Sequence, residues 1–350
     1  MKNNLGVQAL VWEENKLLLI DQRKLPNTSV FVCCETVADI VSAIKDMVVR
    51  GAPAIGICAA YGAVLAMREC TALKTGETQP LLLSKLDAIA DSRPTAVNLM
   101  WAIDQARTLT ASTPWDKLDA ALLDLALEIH RQDIEANLSM GDHALEQFRA
   151  SGDGSFSVIT HCNTGSLATG GYGTALGAIK SAWQAGILEH VYADETRPWL
   201  QGSRLTAWEL KQDGIPFSLN ADSAAAWIMQ NRDVRWVIVG ADRIASNGDV
   251  ANKIGTYSLA VLARFHQVKV MVVAPTSTID MSLHDGRSIS IEMRADTELT
   301  HIAGQNMAPE GVAVINPVFD VTPAEFVDVI VTEKGAVLAP DKDGIAALFT

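Results

Sequence analysis

The sequence predicts an α/β protein: a Rossmann-like parallel sheet in a C-terminal domain, and a mainly helical N-terminal domain carrying a small β-hairpin or sheet. Three observations predict it. Beyond residue 155, five short strand-like runs alternate with four segments of helical period, the rhythm of parallel strands joined by right-handed crossovers. From Thr36 to about Ala150 the apolar residues recur instead at spacings of three and four, which is helical. A cluster of small polar residues, Ser151-Gly152-Asp153-Gly154-Ser155, lies between the two rhythms and reads as a linker. The expected domains are 1–150 and 151–350, with no internal repeat.

Taken in order, Val7–Trp12 and Lys16–Ile20 flank Glu13-Glu14-Asn15 and predict a hairpin, with a further strand within Leu25–Cys34. Thr36 stands before Val37, Ile40, Val41, Ile44, Met47 and Val48, an amphipathic helix behind a Thr N-cap. Further helices are expected over 54–67, 96–109 and 115–148, the last broken near Ser139-Met140-Gly141. Asp91-Ser92-Arg93-Pro94-Thr95 interrupts the pattern and starts the 96–109 helix. In the C-terminal half the expected strands are 158–160, 191–193, 217–220, 236–240 and 269–274. The helices between them are 174–184, 205–212, 224–230 and 255–265.

Composition narrows the function. Hydrophobic residues make up 49% of 350, enough for a sizeable core in each of two domains. A net charge of -13 argues against a general nucleic-acid or anionic-membrane surface, though a locally positive pocket remains compatible with it. The five cysteines (33, 34, 58, 70 and 162) are odd in number and form no C-x-x-C pair, and no basic region precedes an apolar run at the N-terminus. The expectation is a reduced, cytoplasmic protein without a signal peptide. The uncharged run Gly51–Met67 opens with Gly-Ala-Pro and is dominated by Ala and Gly, so a packed internal helix is expected rather than a membrane span. The seven histidines show no chelate spacing, and no metal is expected.

The stretch richest in chemistry is 158–177. Its strand ends on His161-Cys162, passes through a Gly-rich loop and becomes helical at Thr174. Ligands of open α/β sheets sit beyond the carboxyl ends of strands, so Cys162 is a candidate reactive thiol, against the alternative of a small buried hydrophobe. A dinucleotide loop fits poorly, because Leu176 stands where the third glycine of Gly171-x-Gly173 belongs and the strand ends about ten residues too early. His161 and Cys162 are not expected to form a dyad, since neighbours in extended backbone face opposite ways.

Other segments deliver polar groups to helix starts. Arg50-Gly51-Ala52-Pro53 has Pro at a first helical position with an Arg beside it, the makings of an anion site, or else a plain helix–helix turn. Arg93-Pro94-Thr95 repeats that grammar. Asp194-Glu195-Thr196-Arg197-Pro198 follows a strand, with Gln201 and Arg204 close behind. The buried run 236–240 delivers Asp242, and a loop over 247–253 brings Asn252 and Lys253 towards another helix start. An Asp beside apolar groups in a closed pocket can be held protonated and act as an acid.

Six blocks together resemble one family, the methylthioribose-1-phosphate isomerases of methionine salvage, in a superfamily with regulatory subunits of the initiation-factor nucleotide exchanger. They are Val48–Gly56, Ser92–Leu99, Thr160–Gly165, Asp194–Pro198, Gln201–Leu210 and Val239–Tyr257. The resemblance implies an aldose–ketose isomerase of a sugar phosphate, needing no metal or nicotinamide cofactor. It places catalysis on Cys162 and Asp242, and substrate binding on Arg50, Gly51, Ala52, Arg93, Gln201, Asn252 and Lys253. It also implies a homodimer. Thr164 and Ser166 stand where Ala is expected in many members, and Asp222-Ser223-Ala224-Ala225 replaces the more usual Asp-Asn-Met-Ala; these bear on substrate preference. A non-catalytic regulatory subunit, a nicotinamide oxidoreductase and an isomerase of 5-deoxyribose 1-phosphate are the competing readings.

Overall fold

The structure, a computed structural model, describes residues 6–73, 78–94, 96–302 and 304–350. It divides into two compact units. The first runs up to Glu135 and includes Gly165–Gly173; the second comprises Ala136–Thr164 and Thr174–Thr350.

In the first unit, β1 (Leu10–Glu13), β2 (Lys16–Ile20) and β3 (Phe31–Cys34) form an antiparallel sheet. Glu14 and Asn15, both at positive φ, make its two-residue turn. Helix α1 (Val37–Lys45) starts as expected: the Thr36 hydroxyl accepts from the Asp39 N–H and the Asp39 carboxylate accepts from the Thr36 N–H, a reciprocal capping box. Helix α2 (Ala52–Ala72) is the core of the unit. It is long and apolar enough to cross a bilayer, but 83% of its most apolar window is buried, as in the core helix of a folded domain. Helices α3 (Thr78–Ala90) and α4 (Val97–Ser112) complete the bundle. Against Gly56 of α2, an added Cβ would lie 2.9 Å from the Asn98 carbonyl oxygen, so glycine sets the closeness of α2 and α4. Thr95, in the segment expected to start the 96–109 helix, lies outside the described residues. Helix α3 was hidden in the sequence, its period blurred by Ser and Lys between leucines.

Helix α5 (Trp115–Ala150) is continuous, and no break occurs at 139–141. Met140, Ala144 and Phe148 are fully buried in the core of the second unit, and this packing outweighs the roughly 1 kcal/mol helix penalty of Gly141. The same packing moves the partition from the expected 150/151 to 135/136, although the helix itself does end at Ala150.

The second unit is built on strands β4 (Phe156–Thr160), β5 (Leu188–Asp194), β6 (Phe217–Asn220) and β7 (Val234–Val239). After β7 come β8 (Arg243–Ala245), β9 (Val250–Lys253), β10 (Lys269–Val273) and the short β11 (Ile279–Asp280), β12 (His301–Ile302) and β13 (Gln305–Asn306). The chain ends with β14 (Phe319–Thr322), β15 (Val329–Thr332) and β16 (Gly335–Leu338). The main sheet has the order β16-β15-β10-β7-β4-β5-β6. All of its pairings are parallel except β15–β16. Helices α6 (Ala175–Gln184), α7 (Ala207–Gln212), α8 (Ala225–Asn231) and α9 (Thr256–His266) supply crossovers. Two buried apolar clusters cover the sheet, one containing Val158, Val191 and Ile238, the other Ile159, Val237 and Val239. They alternate along β4 and β7 because successive strand residues face opposite ways, which is the doubly wound, Rossmann-like arrangement expected.

The chain leaves β4 towards β5 and β6 on one side, then returns to place β7 on the other. The switch point therefore lies between β4 and β7, where such sheets open a crevice at their carboxyl edge. The loop expected over 247–253 is instead largely strand. β8 and β9 pair antiparallel around Asn247-Gly248, and β9 pairs with β14.

Candidate active site

Cys162 follows the last residue of β4 by two positions and Asp242 follows that of β7 by three, with Thr160 directly beside Ile238 in the parallel ladder. Neighbouring strands lie about 4.8 Å apart, so adjacent strands carry both loops to one edge. The loops touch: a Cβ on Gly240 would come within 2.7 Å of the Thr164 methyl. Thr164, where Ala is expected, thus fits against a glycine.

Cys162 is buried and adopts φ 64, a left-handed conformation that costs a non-glycine residue about 1–2 kcal/mol. Its N–H donates to Thr196 Oγ1 at 2.8 Å, and its carbonyl accepts from the Thr206 hydroxyl. Thr196 is itself at φ 62. The Asp222 carboxylate holds that turn by accepting the N–H groups of Thr196 at 2.7 Å and Arg197 at 2.8 Å. Thr206 ends a π-helical turn, Gly202–Thr206, a feature that concentrates at functional sites.

His161 is committed to partners other than the thiol. Its Nδ1 meets Asp194 Oδ2 at 2.9 Å and its Nε2 meets the Ile254 carbonyl oxygen at 2.9 Å. Burial drives its pKa down, but Asp194, Asp222 and the Ile254 carbonyl together outweigh burial, and the net direction is up. Burial likewise raises Asp194 more than His161 lowers it. Among the described residues, His161, Asp194 and Asp222 form a group with ligand atoms within 4.8 Å of one another. Every one of them is committed to hydrogen bonds already, so as placed they brace the edge rather than form an open ion site.

Asp242 donates its N–H to Ala251 O at 2.9 Å, which fixes it beside β9. Its side chain is exposed, a departure from the enclosed apolar setting expected of it. Asn252 and Lys253, the last residues of β9, are buried. Asn252 donates to Thr256 Oγ1 at 3.0 Å and Lys253 to the Val318 carbonyl at 3.1 Å, its ammonium lying over the Phe319 ring. Gln201 is buried, and its Oε1 has no partner among the described residues. Gln201 and Lys253 line a narrow cleft of about 10 Å³ with Trp199, Arg294 and Val318; Cys162 and Asp242 do not line it.

In the first unit, Gly51 is the N-cap of α2 at φ 94, with no side chain capping the helix and Pro53 in the first turn. A Cβ there would lie 2.5 Å from the Ala168 carbonyl oxygen, so only glycine fits. Arg50 Nη1 is buried without a partner among the described residues, beside free helix N–H groups that favour an anion. Ala52 is exposed, and Arg93 is half-buried shortly before α4.

Known proteins place this arrangement. Residues 48–339 match the model of the initiation factor 2 subunit family. A methylthioribose-1-phosphate isomerase of Marinobacter nauticus is 53% identical over 99% of this chain and 98% of its own length. One of Stutzerimonas stutzeri is 55% identical, over 96% and 93%. The crystal structure of 5-methylthioribose 1-phosphate isomerase from Pyrococcus horikoshii OT3 superposes with a TM-score of 0.93 at 39% identity, covering 100% of this chain and 98% of that one. The chain belongs to the methylthioribose-1-phosphate isomerase family. A structure named translation initiation factor eIF-2B, subunit delta, from A. fulgidus, is also similar, with a TM-score of 0.89 at 38% identity over 98% and 99% of the chains.

For a member of this isomerase family, reading the sequence alone missed the supporting groups of the site. Thr196, Thr206 and Asp222 act on backbone atoms of residues far away in sequence, and no local spacing marks them. The expectation that His161 and Cys162 form no dyad assumed extended backbone at both; Cys162 is instead at φ 64, and it is the bonds to Asp194 and Ile254 that engage the imidazole.

Proposed function

We propose that this chain converts 5-methylthioribose 1-phosphate to 5-methylthioribulose 1-phosphate, as an aldose–ketose isomerase of methionine salvage, with Cys162 and Asp242 as the catalytic pair. The single observation that carries the reading is a buried, conformationally constrained thiol and a carboxylate just beyond the carboxyl ends of adjacent strands, at the switch point of the sheet. Arg50, Gly51, Ala52, Arg93, Gln201, Asn252 and Lys253 are assigned to the phosphate and sugar. Arg50 Nη1 and Gln201 Oε1, buried and without a partner among the described residues, support this, since an unsatisfied buried polar atom calls for a missing partner such as a ligand.

A phosphate on C1 blocks ring opening through a free aldehyde, so the ring C–O bond must be broken with help. Asp242 donates a proton to the ring oxygen as that bond breaks. The C2 hydrogen then reaches C1 by one of two routes. In the first, Cys162 removes it as a proton, an enol forms, the thiol reprotonates C1, and the C2 hydroxyl becomes the carbonyl as its proton passes to the Asp242 carboxylate. In the second, it moves as a hydride to the cationic C1, Cys162 stabilises the developing positive charge, and the C2 hydroxyl gives its proton to the Asp242 carboxylate. A single turnover in deuterated water separates them: label at C1 marks the first route.

The similarity to a structure with an initiation-factor name favours a second reading, a regulatory subunit without catalysis. The presence of both Cys162 and Asp242, with Asn252 and Lys253, favours the enzyme. A homodimer in the cytoplasm belongs to the same proposal. The deciding experiment is a product assay on a panel of 5-substituted ribose 1-phosphates. Turnover that is fastest with the methylthio substrate supports the proposal, preference for the 5-deoxy sugar reassigns the substrate, and absence of any turnover returns the regulatory reading. An apolar pocket distinguishes such substituents by only about 1–3 kcal/mol.

A further inference from the structure

The thiol proposed as catalytic sits on a peptide unit that depends on two distant hydroxyls. Cys162 is the turn residue between β4 and the Gly-rich loop, at φ 64. Its N–H is taken by Thr196 Oγ1 at 2.8 Å, and its carbonyl by the hydroxyl of Thr206. Both threonines are buried, so water does not compete for these bonds. Each hydroxyl has a second partner that fixes its direction. Thr196 donates to the Asp194 carbonyl at 3.1 Å, and Thr206 accepts from Asn163 Nδ2 at 3.3 Å. The π-helical turn bearing Thr206 lies hard against the end of β5, where a Cβ on Gly202 would meet the Asp194 carbonyl oxygen at 1.7 Å.

We propose that Thr196 and Thr206 are positioning residues of the isomerase, holding the Cys162 peptide in its left-handed conformation so that the thiol is aimed at the sugar. The inference rests on the catalytic role proposed above for Cys162. A hydroxyl that merely filled space would be replaceable by a methyl; one that fixes a reacting group would not, because small misplacements of a catalytic atom reduce rate steeply.

The test is steady-state kinetics on Thr196→Val, Thr206→Val, Thr196→Ser and Thr206→Ser, with Cys162→Ala as reference. Each Val variant should lose about 10- to 100-fold in kcat with KM changed less than about twofold, and each Ser variant should recover most of that loss. Folded Val variants with unaltered kcat overturn the proposal, and so does a Ser variant as slow as its Val counterpart. If valine prevents folding, the Ser variants still decide: near-normal kcat assigns the role to the hydroxyl, and a large loss overturns it. Should Cys162→Ala itself retain full activity, the isomerase assignment of the thiol fails, a result distinct from failure of the clamp.

Discussion

His161 and Asp194 share a buried proton. The Ile254 carbonyl 2.9 Å from Nε2 can only accept, so Nε2 carries a hydrogen, and a second lies in the 2.9 Å contact between Nδ1 and Asp194 Oδ2. Both side chains are 1% exposed. The pair ties β4 to β5 and to the loop leaving β9, so the segments bearing Cys162 and Lys253 are braced through one imidazole.

This pair gives stability a definite pH dependence. The pKa of His161 is raised in the folded protein, where burial opposes charging but Asp194, with Asp222 and the Ile254 carbonyl, outweighs it. A raised folded pKa means stability fully present below the unfolded value of about 6.5 and lost as pH rises through the folded value. Thermal unfolding scans should therefore show wild type losing more stability above pH 6.5 than His161→Gln does. Asp194→Ala, which strands the imidazole, should cost about 3–5 kcal/mol near pH 6 by urea unfolding.

Asp242→Asn keeps the shape of the side chain and removes its proton transfer. Turnover should fall by about 10²–10⁴-fold, while the substrate still binds, as isothermal titration would record. A near-normal rate would remove Asp242 from the mechanism.

Arg50→Ala removes a charged donor beside the first turn of α2. Affinity for the phosphorylated sugar should weaken by about 10- to 150-fold, the equivalent of a charge-assisted hydrogen bond of about 1.5–3 kcal/mol. Unchanged affinity refutes the assignment.

Gly202→Ala tests the packing of the π-helical turn. Its Cβ would collide with backbone at 1.7 Å, so stability should drop by about 3 kcal/mol or more, the upper end of overpacking costs. An unfolding midpoint equal to that of wild type would mean the turn relaxes freely.

The alternation of strands and helices from β4 to β10 was legible in the sequence because burial on both faces of a parallel sheet leaves compact Val- and Ile-rich runs. So was the Thr36 cap, whose partners lie within three residues. Local patterning did not show α5 passing unbroken through Gly141, since what holds that turn is Phe148 and Met140 entering the core of the second unit. Nor did it show the β8–β9 hairpin, whose strands pair outward with β11 and with β14, the latter more than sixty residues on from β9.

For the site, the sequence by itself determined which reactive groups exist and that strand ends present them: Cys162 after β4, Asp242 after β7, a helix start behind Arg50. Only the tertiary structure decided that β4 and β7 are neighbours, that Cys162 takes a left-handed turn under two threonine hydroxyls, and that His161 faces Asp194. The physical reason is range. Backbone period and capping act over a few residues and leave their mark in the order of amino acids, whereas strand order and a hydrogen bond spanning 34 or 44 positions exist only once the chain has closed on itself.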